Sequence, residues 1–307
     1  MENQNKNAHD EGPHDTEQPD QMGRSLEKGA LYVVGTPIGN LRDFSPRARE
    51  TLASADFIAA EDTRVTKKLL NHFGIHRPLI SYFEHNKLSR GETILRRLRE
   101  GETCALVSDA GMPAVSDPGE TLIAACAAEN LPVYVIPGPT AAISALAVSG
   151  LPTGRFTFEG FLSMNKRSRR EHLQQVAAEP RTMIFYEAPH KLRRTLGDFE
   201  KAFGPERRIA VVRELTKLHE EVWRTTLREA AAHYREHEPR GEYVLVIAGA
   251  EPVTAEETYT LEDAVELARE LAGAGHSASE AAKQAAKTTG QRKAEIYKAL
   301  SEEKSKP

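Results

Sequence analysis

The chain has 307 residues, 39% of them hydrophobic, enough for about two domains that each bury a core. No run reaches the ~18 apolar residues that span a bilayer, and the polar opening stretch lacks the apolar centre of a secretory signal, so a cytoplasmic protein without membrane association is expected. The formal net charge is -4, but residues 1–28 hold seven acidic and three basic side chains and the rest balance at 38 of each sign, which excludes a strongly cationic body and leaves room for a local basic face.

In chain order, residues 1–28 are too polar to offset the entropy of ordering and read as a disordered acidic tail. From Leu31 onward, apolar runs alternate with amphipathic stretches. The runs Leu31 to Val34, Phe57 to Ala60, Cys104 to Val107 and Val133 to Ile136 read as strands, mostly buried on both faces, and Pro46 to Ala55, Gly91 to Glu100 and Glu120 to Asn130 read as helices. That is the layout of a parallel α/β domain, placed at 29–150. Gly150-Leu151-Pro152-Thr153-Gly154 is a hinge or boundary, after which strands recur at Phe156 to Phe161, Met183 to Tyr186, Ile209 to Val212 and Tyr243 to Ala248. Shorter connections in this second α/β domain, 151–252, predict a mixed sheet. Beyond it, 253–307 reads as a helical extension. Leu261, Val265, Ala268 and Leu271 mark an acidic amphipathic helix, and two further helices flank a Thr-Thr-Gly turn in a helix-turn-helix-like pair.

Polar loops follow the strands of the first domain. After Leu31 to Val34 comes Gly-Thr-Pro-Ile-Gly-Asn, and after Phe57 to Ala60 come Glu61, Asp62, Thr63 and Arg64. Ser108-Asp109-Ala110-Gly111-Met112-Pro113 and Ser116-Asp117-Pro118-Gly119 follow the third strand, and Pro137-Gly138-Pro139-Thr140 leads from the fourth into a helix, with Thr140 placed as an N-cap. In parallel sheets such loops lie outside the carboxyl edge, where ligands bind. Small residues let a ligand approach the backbone, and a carboxylate at a strand end accepts hydrogen bonds from hydroxyls or amines. Ordinary turns and caps explain the same residues. None of the loops fits the dinucleotide fingerprint or the Walker A pattern, which disfavours nicotinamide and nucleoside triphosphate chemistry. Cys104 and Cys126, the only cysteines, sit in apolar stretches, so neither a disulfide framework nor a metal site is expected.

These blocks jointly resemble the tetrapyrrole-methylase-like, S-adenosylmethionine-dependent methyltransferases (class III methyltransferases), and within that family the members that methylate ribosomal RNA. The resemblance covers Leu31 to about Gly249. It rests on the loops just quoted and on Glu159-Gly160-Phe161-Leu162, Phe185-Tyr186-Glu187-Ala188-Pro189-His190, Arg213-Glu214-Leu215-Thr216-Lys217 and Gly241-Glu242-Tyr243. It implies two α/β domains with the methyl donor in the cleft between them, a homodimer, and often a C-terminal module. The implied reaction is S-adenosylmethionine-dependent methylation of a cytidine ribose 2'-hydroxyl in the decoding region of 16S rRNA, within the small ribosomal subunit. Carried over by position, the donor contacts are Pro37, Ile38, Asp109, Gly111, Met112, Thr140, Ala141, Tyr186 and Tyr243. Met112 stands where the family commonly has Thr, and Ala188 where Ser is common.

Methyl transfer to a hydroxyl needs in-line approach and removal of the proton. Glu61, Asp62 and Glu187 are the candidates for base or substrate positioning, and each can equally be held in an ion pair with Arg64 or Arg213. For RNA phosphates the densest basic set is Lys166, Arg167, Arg169 and Arg170, alternatively a solvated helix start. Arg90, Arg96, Arg97 and Arg99 form a weaker set. Two other function classes remain at this stage: a methyltransferase of the same fold acting on a tetrapyrrole or another small molecule, and a nucleic-acid-binding module without catalysis.

Overall fold

A computed structural model of the chain describes residues 25–251 and 259–303. The acidic tail is therefore outside the described residues except for its last four positions, and so is the segment that joins the second domain to the helical extension. The chain forms two compact units, one of residues up to Ala145 together with Arg213–Glu221, the other of Leu146–Val212 together with the residues from Val222 onward.

The first unit is built on a five-stranded sheet of β1 (Leu31–Val34), β2 (Phe57–Ala60), β3 (Leu79–Ser81), β4 (Cys104–Val107) and β5 (Val133–Ile136), in the order β3-β2-β4-β1-β5. Every pair is parallel, with Leu31 opposite both Cys104 and Val133. Successive side chains point to opposite faces. Tyr32, Val34, Ile58, Ala60, Ala105 and Val107 pack on one face against α1 (Pro46–Ser54) and α2 (Thr63–His72) through Ala48, Leu52 and Leu70. Leu31, Phe57, Ala59, Cys104 and Leu106 pack on the other against α3 (Lys87–Arg99) and α4 (Glu120–Ala128) through Ile94, Leu98, Leu122 and Cys126. β1, β2 and β4 are buried along their whole length, the reason they read in the sequence as unbroken apolar runs. α5 (Ala141–Val148) follows β5.

Three differences from the sequence reading lie in this unit. α2 and β3 occupy a stretch to which the sequence reading assigns no element, and α3 begins at Lys87, four residues earlier than expected. The first turn of α3 has Leu88 as its one apolar residue, 81% exposed, and so carries no apolar period, and Gly91 inside the helix lies under the Tyr82 ring.

The second unit holds β6 (Phe156–Phe161), β7 (Thr182–Glu187), β8 (Arg208–Arg213), β9 (Glu221–Thr226) and β10 (Tyr243–Ile247), in the order β6-β7-β10-β8-β9. β6 and β7 are parallel and β7 and β10 antiparallel, so the sheet is mixed, as expected. α6 (Lys166–Gln175), α7 (Pro189–Phe203) and α8 (Leu227–Glu236) supply Leu173, Leu192, Leu196, Phe199, Leu227 and Tyr234 to a core shared with Met183, Phe185, Ile209 and Leu245. The extension folds as α9 (Leu261–Gly273), α10 (Ala278–Thr289) and α11 (Lys293–Glu303), packed through small residues, Ala264, Ala268, Ala281, Ala282 and Ala285, with Ile296. Gly290, at φ +75°, ends α10 in the left-handed conformation that glycine adopts without penalty. Among the described residues no helix is long and apolar enough to cross a membrane.

Candidate active site at the carboxyl edge of the first sheet

The loops after β1, β2, β4 and β5 meet at one edge of the first sheet. Thr36 and Gly111 bond each other through both backbone groups, N to O 2.9 and 3.1 Å, tying the β1 loop to the β4 loop. Thr36 Oγ1 adds longer contacts to the carbonyls of Ser108 and Gly111, each 3.4 Å. Gly35 and Gly138 lie against each other: a Cβ on Gly35 would stand 2.7 Å from the Gly138 Cα and 2.6 Å from the Met112 Sδ. Only glycine at both positions allows this approach of the β1 and β5 loops. Gly111, at φ +87°, sits between Ile38 and the Pro139 carbonyl. The Thr140 carbonyl accepts from Ser144 N at 3.1 Å, which places Thr140 at the entry of α5 with Ala141 as its first residue.

Four carboxylates stand at this edge in unlike environments. Asp62 caps α2, accepting from Arg64 N at 2.8 Å, and its Oδ2 receives Arg64 Nη2 at 2.6 Å. These bonds from Arg64 hold the Asp62 carboxyl down at about 2. The Asp62 backbone N–H donates to Asp109 Oδ1 at 3.0 Å, joining the β2 and β4 loops. Glu61 is pushed above the ordinary glutamate value by burial first, then by the charges of Asp117 and Asp109. Burial likewise raises Asp109 and Asp117. At this partly desolvated edge the proton affinity of Glu61, Asp109 and Asp117 is shifted upward while that of Asp62 is shifted down.

One contributor is absent from the candidates read in the sequence. The turn after β8 carries Glu214 at φ +50° and Thr216 at φ +67°, and it packs on the β1 loop: a Cβ on Gly39 would stand 2.6 Å from Lys217 Cγ and 3.2 Å from Thr216 Oγ1. Two non-glycine residues in the left-handed region within three positions mark a turn held by its surroundings. The Arg213 to Lys217 block was visible as a motif, but nothing local says that it belongs with a loop some 175 residues earlier.

The other candidates lie in the second unit. Tyr186 and Glu187 end β7, and Tyr243 begins β10 directly opposite Glu187. Tyr186 stacks edge-on to Phe158 and Phe161, with ring centroids 5.1 and 5.5 Å away. Tyr243 turns its ring into the core, where its hydroxyl accepts from Arg240 N at 3.1 Å. Glu187 is buried, one oxygen accepting from Ala188 N at 2.9 Å and the other from the Thr195 hydroxyl.

The basic set on α6 does not act as one. Lys166, Arg167 and Arg170 are exposed, and Arg167 pairs with Glu171 at 2.7 Å. Arg169 is only 4% exposed, its guanidinium bonded to Asp198 at 2.6 Å and to Thr195 Oγ1 at 2.8 Å. Its charge is spent inside the unit and does not reach a phosphate.

A glycine-cradled loop cluster with tuned carboxylates at the carboxyl edge of a parallel sheet defines an α/β small-ligand site. Residues 30–231 match the family of tetrapyrrole (corrin/porphyrin) methylases. The chain is 51% identical over 269 residues to ribosomal RNA small subunit methyltransferase I of Synechocystis sp., covering 88% of this chain and 96% of that protein. It is 48% identical over 273 residues to the protein of that name from Halalkalibacterium halodurans, covering 88% and 94%. Cobalt precorrin-4 methyltransferase, a cobalamin biosynthetic enzyme of known structure, shares the fold, with a TM-score of 0.54 at 18% identity over 72% of this chain and 95% of that one. The chain belongs to the tetrapyrrole methylase family and is a methyltransferase.

Proposed function

We propose that the protein methylates the ribose 2'-hydroxyl of a cytidine in the decoding region of 16S rRNA, with S-adenosylmethionine as donor, acting in the cytoplasm on the small ribosomal subunit and as a homodimer. The observation that carries the reading is the 51% identity, over almost the whole of that relative, to a protein named for methylation of small-subunit ribosomal RNA. The donor supplies a sulfonium methyl group that is already activated for transfer. Its binding is assigned to Pro37, Ile38, Asp109, Gly111, Met112, Thr140 and Ala141 of the first unit and to Tyr186 and Tyr243 of the second. In support, the close approach of Gly35 to Gly138 and of Gly111 to Pro139 gathers these loops at one edge, and Asp109 offers an acceptor for hydroxyl or amine groups.

Glu61 is the group we assign to take the ribose proton. Asp62, held at about 2 by Arg64, is too weak a base for the task, and both oxygens of Glu187 are engaged by Thr195 and Ala188. Glu61 is raised by burial and by the neighbouring carboxylates Asp117, Asp109 and Asp62, the direction that makes it a better base than Asp62. Labelled methyl donor incubated with unmethylated small subunits should deliver label to 16S rRNA. Glu61→Gln should bind donor normally and lose about 10²- to 10⁴-fold in turnover. For the native protein, activity should fall on the acid side through a pKa above that of an ordinary glutamate, because the protonated carboxyl accepts nothing. Label in a tetrapyrrole acceptor and none in RNA would overturn the substrate, and native turnover in Glu61→Gln would overturn the role of Glu61.

A further inference from the structure

We propose that α2 and the turn that follows it form a second contact for the RNA, a basic track leading from the carboxyl edge of the first sheet to a hollow at its amino edge. The inference rests on the reading of the substrate as ribosomal RNA and states where a flanking part of that RNA is held. α2 turns Thr66 and Leu70 into the core and leaves Arg64, Lys67, Lys68 and His72 exposed, with no carboxylate in the helix. Its ten residues span about 15 Å. Arg64 stands at the start of the track but is paired with Asp62 at 2.6 Å, so among the described residues the unpaired charge begins at Lys67 and Lys68, and the hollow ends the track. That hollow measures about 500 Å³, with Lys67, Asn71, His76 and Arg77 as its polar lining and Leu70 and Ile75 among its apolar residues. It is the size of a small-ligand site and carries cationic donors without a carboxylate, which suits a phosphate with a sugar or base against the apolar part.

The charges here are not a generic solvated face. On α3 the arginines are neutralised: Arg96 pairs with Glu100 at 3.0 Å, Arg97 with Glu102, and Arg99 with both Glu92 and Glu129 at 3.0 and 2.6 Å. Lys67, Lys68 and Arg77 make no ion pair among the described residues. Arg64 and Lys68 stand four apart on one helix row, and like charges at that spacing weaken a helix. The neighbouring layer adds exposed Arg47 and Arg49, the latter with its guanidinium 5.5 Å from the centre of the Phe73 ring. Acidic side chains near this layer include Asp43, Glu50, Asp56 and Asp62: Asp62 pairs with Arg64, and Asp56 accepts from Thr103 N and Oγ1, both at 2.7 Å, and also feels the charge of Arg77. Positive charge is left in excess, and an RNA backbone is the polyanion that the proposed activity brings to this unit.

The test compares the full chain with Lys67→Ala/Arg77→Ala and with Lys67→Arg/Arg77→Lys for binding to a decoding-region fragment of 16S rRNA across a range of salt. Two lost phosphate contacts should lower the slope of log affinity against log salt by about 1.4, a loss of about 25-fold at about 0.1 M salt. S-adenosylmethionine affinity should be unchanged, and the charge-keeping variant should retain native RNA affinity. An alanine variant with native affinity and slope overturns this inference and leaves the RNA reading standing. A native chain that does not bind the RNA at all overturns both.

Discussion

Replacing Gly35 by alanine should destabilise the protein by about 1 to 3 kcal/mol and weaken S-adenosylmethionine binding about tenfold or more. The new Cβ would stand 2.7 Å from the Gly138 Cα and 2.8 Å from its N, distances that real carbon atoms do not tolerate. Met112, whose Sδ would lie at 2.6 Å, can swing away because its side chain is long and flexible. The Gly138 backbone cannot, since Gly35 N is bonded to the Ile136 carbonyl at 3.0 Å and the two strands are in register from Leu31 to Val34. Relief must therefore come from splaying the β1 and β5 loops, and the donor site assigned to them opens with it. Gly197→Ala is the control. That residue lies within α7 with nothing within 4 Å of the new Cβ, so alanine should stabilise by about 0.5 to 1 kcal/mol through helix propensity. Thermal unfolding and calorimetric titration of the donor check both. Native donor affinity in Gly35→Ala would remove this loop contact from the site.

The second large effect concerns Arg169, where loss of one side chain should cost about 3 to 5 kcal/mol. Removing it leaves Asp198 with only Arg194 at 3.7 Å and takes the donor from Thr195, whose hydroxyl in turn bonds the buried Glu187. For a unit of this size that corresponds to a fall in melting temperature of roughly 6 to 20 °C. The triple variant Lys166→Ala/Arg167→Ala/Arg170→Ala touches only exposed side chains and should melt within a few degrees of the native protein. If Arg169→Ala melts with the native protein, the buried network does not carry the stability assigned to it. Any RNA-binding experiment on this helix has to leave Arg169 in place, or a folding defect would be read as lost recognition.

The same residue shows where the sequence was legible and where it was not. Among Lys166 to Gln175 the large apolar residue is Leu173, and Arg169 lies four positions before it on the same helix face, so helical periodicity did contain the signal that Arg169 points inward. Density of charge concealed it. The strands Leu31–Val34, Phe57–Ala60, Cys104–Val107 and Val133–Ile136 have the bounds read in the sequence. Three of them are buried throughout, and β5 shows that an apolar run also survives with Val135 59% exposed. β3 has three half-buried residues after a proline, too few to show any period. α2 was announced by Asp62 as a cap and by Leu69, Leu70 and Phe73, but its polar outer face hid it beside the Glu-Asp-Thr-Arg motif. The candidate site was visible as loops because glycine, proline and aspartate follow strand ends. The packing of Thr216 and Lys217 on Gly39 was not visible, because it is fixed by tertiary structure.

The most direct measurement of the central claim maps 2'-O-methylation, nucleotide by nucleotide, in small-subunit RNA from cells with and without the protein, and repeats it after incubating the unmethylated subunits with purified protein and S-adenosylmethionine. One ribose methyl group on a decoding-region cytidine should disappear without the protein and return on incubation. An unchanged map, or a restored methyl group on a base, would contradict the claim.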